Sequence, residues 1–339
     1  MLASVWAVQA ARPAPVPREA VGAILDAFRD HDVVGLSEGR IHSDRQALEL
    51  RLALIRSDRF AAMPVDLAME NGNARYQDVM DRYVRGEDVP FGELRHVWDD
   101  TTQPQAVNGA DYIRPEYEAL RAINRSRPRA GQHRAILGDP PIDWTAVRTH
   151  DDFQTWLAKR DESGAAMIQR EILARGRKAL AIYGGGHLQR KQQASNYNMD
   201  SPLAQTVISL LERAGAKTFV ISTAAAREDF KSWPVPSLGL IRGTTLGAEK
   251  VPEGSLPRVE VKPDGTMVPL PREKWIDLTQ EEQIDAVLYL GPDSTIGERP
   301  LSPTLCTDPG YLDRTLERMA IAGYPKSEMD RLKNFCARP

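Results

Sequence analysis

The sequence predicts an α/β protein, a single domain on a parallel-rich central sheet flanked by helices. Three observations carry this. Short apolar runs recur along the chain, each closed by a polar or glycine-containing turn. Stretches with apolar residues at helical spacing separate them. The runs are also continuous or β-branched enough to be strands buried on both faces, as a parallel sheet between helices requires.

Taken in order, the strands are 33–37 (VVGLS), 65–69 (VDLAM), 134–138 (RAILG), 179–183 (ALAIY), 218–222 (TFVIS) and 286–290 (AVLYL). Helices are expected over 45–56 (RQALELRLALIR), 74–84, 115–125, 151–176 and 201–214, because each carries apolar residues three or four apart. Residues 258–271 (RVEVKPDGTMVPLP) break the alternation. Asp264-Gly265 between alternating residues predicts an inserted β-hairpin before the last strand. Residues 86–114, rich in Asp, Thr and Gln, form a long excursion able to cover a site. Residues 311–335 read as helical, with Leu312, Leu316, Met319, Ile321 and Leu332 for packing. The organisation expected is an N-terminal segment, 1–17, followed by one domain, 18–339.

Composition excludes several function classes. Of 339 residues, 42% are hydrophobic and 27% charged, ordinary for a soluble globular chain. Lys and Arg number 44 against 47 Asp and Glu, a net charge of −3, which argues against a nucleic-acid partner. No apolar run is long enough for a membrane span. Cys306 and Cys336 are too few for a disulfide scaffold or a zinc ribbon, though one bond between them stays open. The first ten residues, MLASVWAVQA, end in small residues with Val8 and Ala10 placed for cleavage, but lack a basic n-region. A truncated signal remnant and a plain first segment both fit. Export, periplasmic or secreted, is favoured over a cytoplasmic location.

In an open parallel sheet, ligands bind beyond the carboxyl ends of the strands, and right-handed crossovers keep those ends on one edge. The residues standing there carry chemistry. Glu38, Gly39, Arg40, Ile41 and His42 follow the first strand; Glu70, Asn71, Gly72 and Asn73 follow the second. Asp139 follows the third, and Gly184-Gly185-Gly186-His187 the fourth. Two glutamates, an aspartate and two histidines thus share one rim. The bland alternative makes Glu38 and Glu70 first-turn helix acids. Three glycines before His187 permit φ > 0 and close backbone approach to a ligand, where the alternative is a plain turn. His31, His96, His133 and His150 receive no role.

Three motifs compete. Gly35-Leu36-Ser37-Glu38-Gly39 matches the G-x-S-x-G nucleophile elbow, with Ser37, Asp139 and His187 in triad order, but too little chain precedes it. Glycines 184–186 make neither a P-loop nor a dinucleotide fingerprint, since no Gly-Lys-Ser/Thr follows and Gln189 holds the third glycine's place. Glu38, His42, Glu70 and His187 are of a type that holds zinc or manganese, without the tight spacing of a known metal motif.

A strand into Gly35-x-x-Glu38 with His42 nearby, then a strand ending Met69-Glu70, resembles the erythromycin esterase, ChaN and Tiki/TraB superfamily. Arg160-Asp161 to Met167, the Gly184–His187 run and the closing AVLYLGP extend the likeness over about residues 30–295. GNARYQDVMDRYVRGEDVP and LGDPPIDW resemble a bacterial branch of it. The resemblance implies a cleft with Glu38, His42, Glu70 and His187 as catalytic residues. Members differ in activity: metal-free esterases, metal-dependent peptidases and haem binders. The Glu-to-His interval is four residues here against three in the esterase pattern, which brings Arg40 toward the cleft or bulges the loop.

The expected function is therefore a hydrolase of an ester or related bond in a small-molecule substrate. His42 or His187 would act as base, and Glu38 or Glu70 would orient it. Arg40 or Arg160 would face a developing oxyanion, and Asn71, Asp139, Gly185 and Gly186 would contact substrate. No cofactor is expected, though a divalent metal or haem (on His42, His187 or Tyr183) fits the alternatives. Oligomeric state is not legible.

Overall fold

The structure, a computed structural model, describes residues 11–41, 44–104, 114–193, 203–224, 227–251, 259–261, 267–269, 277–296, 304–308 and 310–337. The strands are β1 (Pro17–Glu19), β2 (Val33–Ser37), β3 (Val65–Asn73), β4 (Ala135–Asp139), β5 (Lys178–Tyr183), β6 (Gln192–Gln193) and β7 (Leu203–Ala204). They continue as β8 (Thr218–Thr223), β9 (Ser237–Leu240), β10 (Val259–Val261), β11 (Met267–Pro269) and β12 (Ala286–Tyr289). Eight of them form one mixed sheet in the order β1-β9-β12-β8-β2-β5-β3-β4. Neighbours from β12 to β4 pair in parallel; β9 is antiparallel to both β12 and β1. All six strands read from the sequence are present, and the α/β class holds.

The strands are apolar on both sides because both sides are covered. From β2, Val34 and Leu36 join one core with Leu67, Met69, Leu180 and Ile182, against helices Ala20–Ala27, Arg45–Ile55, Gln77–Val84 and Arg114–Asn124. Val33, Ala68, Ala179, Ala181 and Tyr183 face the second core, against helices Arg160–Glu171 and Val207–Arg213. Chain order then matters. From β2 the chain crosses past β5 to β3, whereas from β5 it runs back past β2 to β8. Connections leaving in opposite directions open a crevice at the carboxyl ends of β2 and β5.

Several elements differ from expectation. β1 and β9 went unread, being short and lacking a β-branched run. The helix expected at 151–176 is two, His150–Leu157 and Arg160–Glu171, each with its own start. Thr149 and Asp152 form a reciprocal capping box on the first, and Asp161 and Glu162 occupy the first turn of the second. The 201–214 helix begins only at Val207, after a Thr206–Ser209 capping box. The 311–335 helix divides into Tyr311–Ile321 and Lys326–Cys336, because Gly323 turns at φ +81° and Pro325 cannot continue the ladder. β10 and β11 pair antiparallel as the predicted hairpin, with Asp264-Gly265 outside the described residues. Cys306 and Cys336 are disulfide-bonded, joining the two ends of this C-terminal hairpin. No described helix is long and apolar enough to cross a membrane.

Candidate active site

The rim at the carboxyl ends of β2, β3, β4 and β5 opens into a cavity of about 830 Å³. β3 delivers two of its side chains through an irregularity. Pairing with β5 ends at Met69–Ile182, and the register against β4 shifts between Met69 and Asn73. Glu70 and Asn71 lie on that shifted segment, inside a strand, so the first-turn helix reading of Glu70 fails. Glu38 likewise belongs to no first turn, since Asp44 caps the helix that follows. Its backbone N–H is tied to the Tyr183 carbonyl at 3.0 Å, and its own carbonyl accepts from the buried Arg51, which pairs with Glu116.

Hydrogen bonds fix the two glutamates. Asn71 Nδ2 donates to Glu38 Oε1 at 2.6 Å. Glu70 Oε1 accepts from Gln103 Nε2 at 2.9 Å and from Arg160, while its Oε2 accepts from the Gly184 N–H. Both glutamates are 4% exposed. The three glycines work differently from the expectation. None of Gly184, Gly185 and Gly186 has positive φ; their contribution to the site is backbone, the Gly184 N–H donating to Glu70.

His187 sits between two carboxylates. Its Nδ1–H donates to Asp161 Oδ1 at 2.8 Å, since a carboxylate can only accept. Its Nε2 lies 3.6 Å from Glu70 Oε1. Asp161 is itself positioned by the Val207 N–H at 2.9 Å. Burial alone would push the imidazole down, but Glu70 and Asp161 outweigh both burial and the Arg160 charge, and its pKa is raised. Asp139 has the reverse balance. Burial dominates over Arg160, 3.7 Å away, and over two Thr102 hydrogen bonds, so its pKa rises to about 7.

The structure therefore brings Glu38, Glu70, Asn71, Asp139, Arg160, Gly185, Gly186 and His187 to one rim. His42 lies outside the described residues. Arg40 lines the same cavity, as the longer Glu-to-His interval led one to expect. Its guanidinium is bound to both Asp44 oxygens, to Gln46 and to the Gly291 and Pro292 carbonyls, so it ties the β2 loop to the chain after β12. Gly39, at φ +144°, makes that loop turn, and a Cβ there would meet Asp44 at 2.6 Å. The Ser37 elbow fails too, because His187 bonds Asp161 rather than Asp139, and Ser37 Oγ donates to the Gly39 carbonyl at 3.4 Å. Tyr183 is buried with its hydroxyl against Gly138 and Gly164, and so cannot serve as an axial haem ligand.

Asp161, Thr102 and Gln103 were not assigned from sequence. Asp161 had a signal, since it opens a helix beside Arg160; Thr102 and Gln103, in an aperiodic excursion, had none. Of the histidines given no role, His31, His133 and His150 each bond a backbone carbonyl, and His96 bonds Asp100 at 2.9 Å. Among the described residues, no group of three or more His, Cys, Asp or Glu side chains is arranged to hold a metal ion.

No family model and no curated protein matches the chain. Solved structures do. A Bacillus cereus protein, 12% identical, superposes with TM-score 0.50 over 82% of this chain and 94% of its own. One described as a succinoglycan biosynthesis protein, 11% identical, gives 0.51 over 82% and 94%. An erythromycin esterase in its open conformation, 11% identical, gives 0.39 over 82% and 93%. What the first two share with this chain is the α/β fold.

Proposed function

We propose that the chain is a hydrolase that cuts an ester or related bond with water activated by His187. One observation carries the reading: a cleft-lining imidazole held by Asp161 on one nitrogen while the other faces Glu70. Fixing the Nδ1–H leaves the Nε2 lone pair toward the cavity, where it takes a proton from water. The imidazolium so formed is flanked by two carboxylates, which lowers the cost of charging it. Arg160, at the cavity wall, faces negative charge developing on the substrate. Glu38, locked by Asn71, is the second acid of the cleft and orients the attacking water. Gly185 and Gly186 complete the substrate side, with Asn71 and Asp139 behind it supporting Glu38 and Arg160. The sequence resemblance to esterase-like proteins supports the same reaction class.

The test is turnover of an ester panel with His187→Ala beside the parent protein. Activity should fall by about 10²–10⁴-fold while the variant still unfolds in one cooperative transition. Full activity in the variant would remove His187 from the mechanism. His42→Ala, measured alongside, decides whether His42 acts as a second base, and chelator treatment decides whether a metal takes part.

A further inference from the structure

The cleft has a second wall, supplied by elements remote in sequence from the strand ends. Phe153 and Leu157 come from helix His150–Leu157; Ala322, Tyr324 and Pro325 come from the turn between the two C-terminal helices. Gln154 and the phenol of Tyr324 add polar groups to this mainly apolar surface. The wall is one packed unit. Phe153 is buried with Ile142, Trp144 and Val147, and Leu157, Ile321 and Ala322 pack on that cluster. His150 Nδ1–H donates to the Ile321 carbonyl at 3.0 Å, joining the helix to the turn.

This wall is held in place by charge, and its C-terminal half is closed on itself by a covalent bond. Arg318 donates to Asp100 Oδ1 at 2.6 Å and to the Asp99 carbonyl at 3.0 Å, and its guanidinium lies 5.1 Å from the Trp144 ring. Tyr311 donates to Asp99 at 2.9 Å, and Arg95 bridges Asp99 and Asp308. The disulfide Cys306–Cys336 closes the hairpin behind them. The same Asp99–Asp100 segment runs on into Thr102 and Gln103, which hold Asp139 and Glu70 on the polar side.

We infer that the C-terminal hairpin is the substrate-selecting wall of the cleft, with Tyr324 as its specificity-determining residue. The substrates it selects are esters with an unbranched or compact apolar acyl portion lying along Phe153, Leu157 and Tyr324. The reacting carbonyl then meets His187, Glu70 and Arg160. The inference deepens the hydrolase reading and rests on it for its turnover arm. An apolar wall beside buried carboxylates rewards a substrate that removes apolar surface from water at one end only.

The experiment uses the full chain and p-nitrophenyl acetate, butyrate and hexanoate. In the parent protein kcat/KM should climb by about fourfold per added CH2, the ratio that full burial of a methylene gives. Tyr324→Ala should reduce that slope without abolishing it, lowering the hexanoate value by about tenfold and leaving acetate within about twofold. Leu157→Ala, on the other element of the wall, should reduce it as well. A flat series in the parent, or an equal loss on all three esters in Tyr324→Ala, overturns the inference. If no ester turns over, calorimetry with p-nitrophenyl ethyl, butyl and hexyl ethers decides separately. Affinity rising with length and lost in Tyr324→Ala upholds the wall while the hydrolase reading falls; no binding, or binding indifferent to length, overturns the wall.

Discussion

At His187, burial and charge act in opposite directions, and charge prevails. The folded value lies above the 6.5 of free imidazole because Glu70 and Asp161 both favour the cation. A general base must be neutral to accept a proton, so kcat/KM should rise with pH through an acid limb above 6.5. Asp161→Asn removes one stabilising charge and should move that limb to lower pH; a limb that stays in place would assign the titration to another group. The same shift has a stability consequence. A raised folded value means the ion pairs of His187 stabilise the fold fully below the unfolded value and lose that effect as pH rises through the folded one. Glu38, Glu70, Asp139 and His187 were legible in sequence because each follows a strand whose end the fold must place on the rim. Asp161 showed only as a helix-opening acid and Gln103 not at all, because their partners lie 26 and 33 residues away and only packing brings them together.

Between elements, the placement of Tyr183 depends on two glycines. Its ring leaves β5 toward β4 and helix Arg160–Glu171, where a Cβ on Gly138 would lie 2.0 Å and one on Gly164 2.8 Å from the hydroxyl. The ring also packs edge-on to His187 at 6.3 Å. Gly138→Ala should therefore destabilise by about 1–3 kcal/mol and lower turnover as well, because the displaced ring presses on the base. Tyr183→Phe in the Gly138→Ala background should recover part of both, since the hydroxyl is the nearest atom and has no hydrogen-bond partner among the described residues. Urea denaturation of the four proteins reads this directly, and strictly additive effects would mean that the two residues do not compete for space. The six parallel strands were readable from their apolar runs. The β3 irregularity that presents Glu70 and Asn71 was not, since ENGN carries no strand signal and gains its geometry from β4.

Over the whole molecule, the C-terminal hairpin is an addition to the sheet, docked by ionic contacts and apolar packing and closed on itself by one disulfide. Its own core is small, with Leu305, Tyr311, Met319 and Leu332 buried. The disulfide spans a separation of 30 residues, which in the chain-entropy account stabilises by about 3–4 kcal/mol. Reduction, or Cys306→Ser with Cys336→Ser, should speed tryptic cleavage within 311–336 while the sheet region resists. Equal cleavage rates would show that Arg318, Tyr311 and Arg95 hold the hairpin unaided.

The sequence by itself determined the class of fold, the six parallel strands and the acids and histidine at their ends. These depend on local patterns: apolar continuity for burial on both faces, and polar residues where the strands stop. Tertiary structure alone decided which carboxylate holds His187, that Arg40 is tied to the chain after β12, and which residues wall the cleft. Each of those is a contact across tens to hundreds of residues. Such contacts follow from strand order, a bulge and the docking of a distant hairpin, which no local pattern encodes.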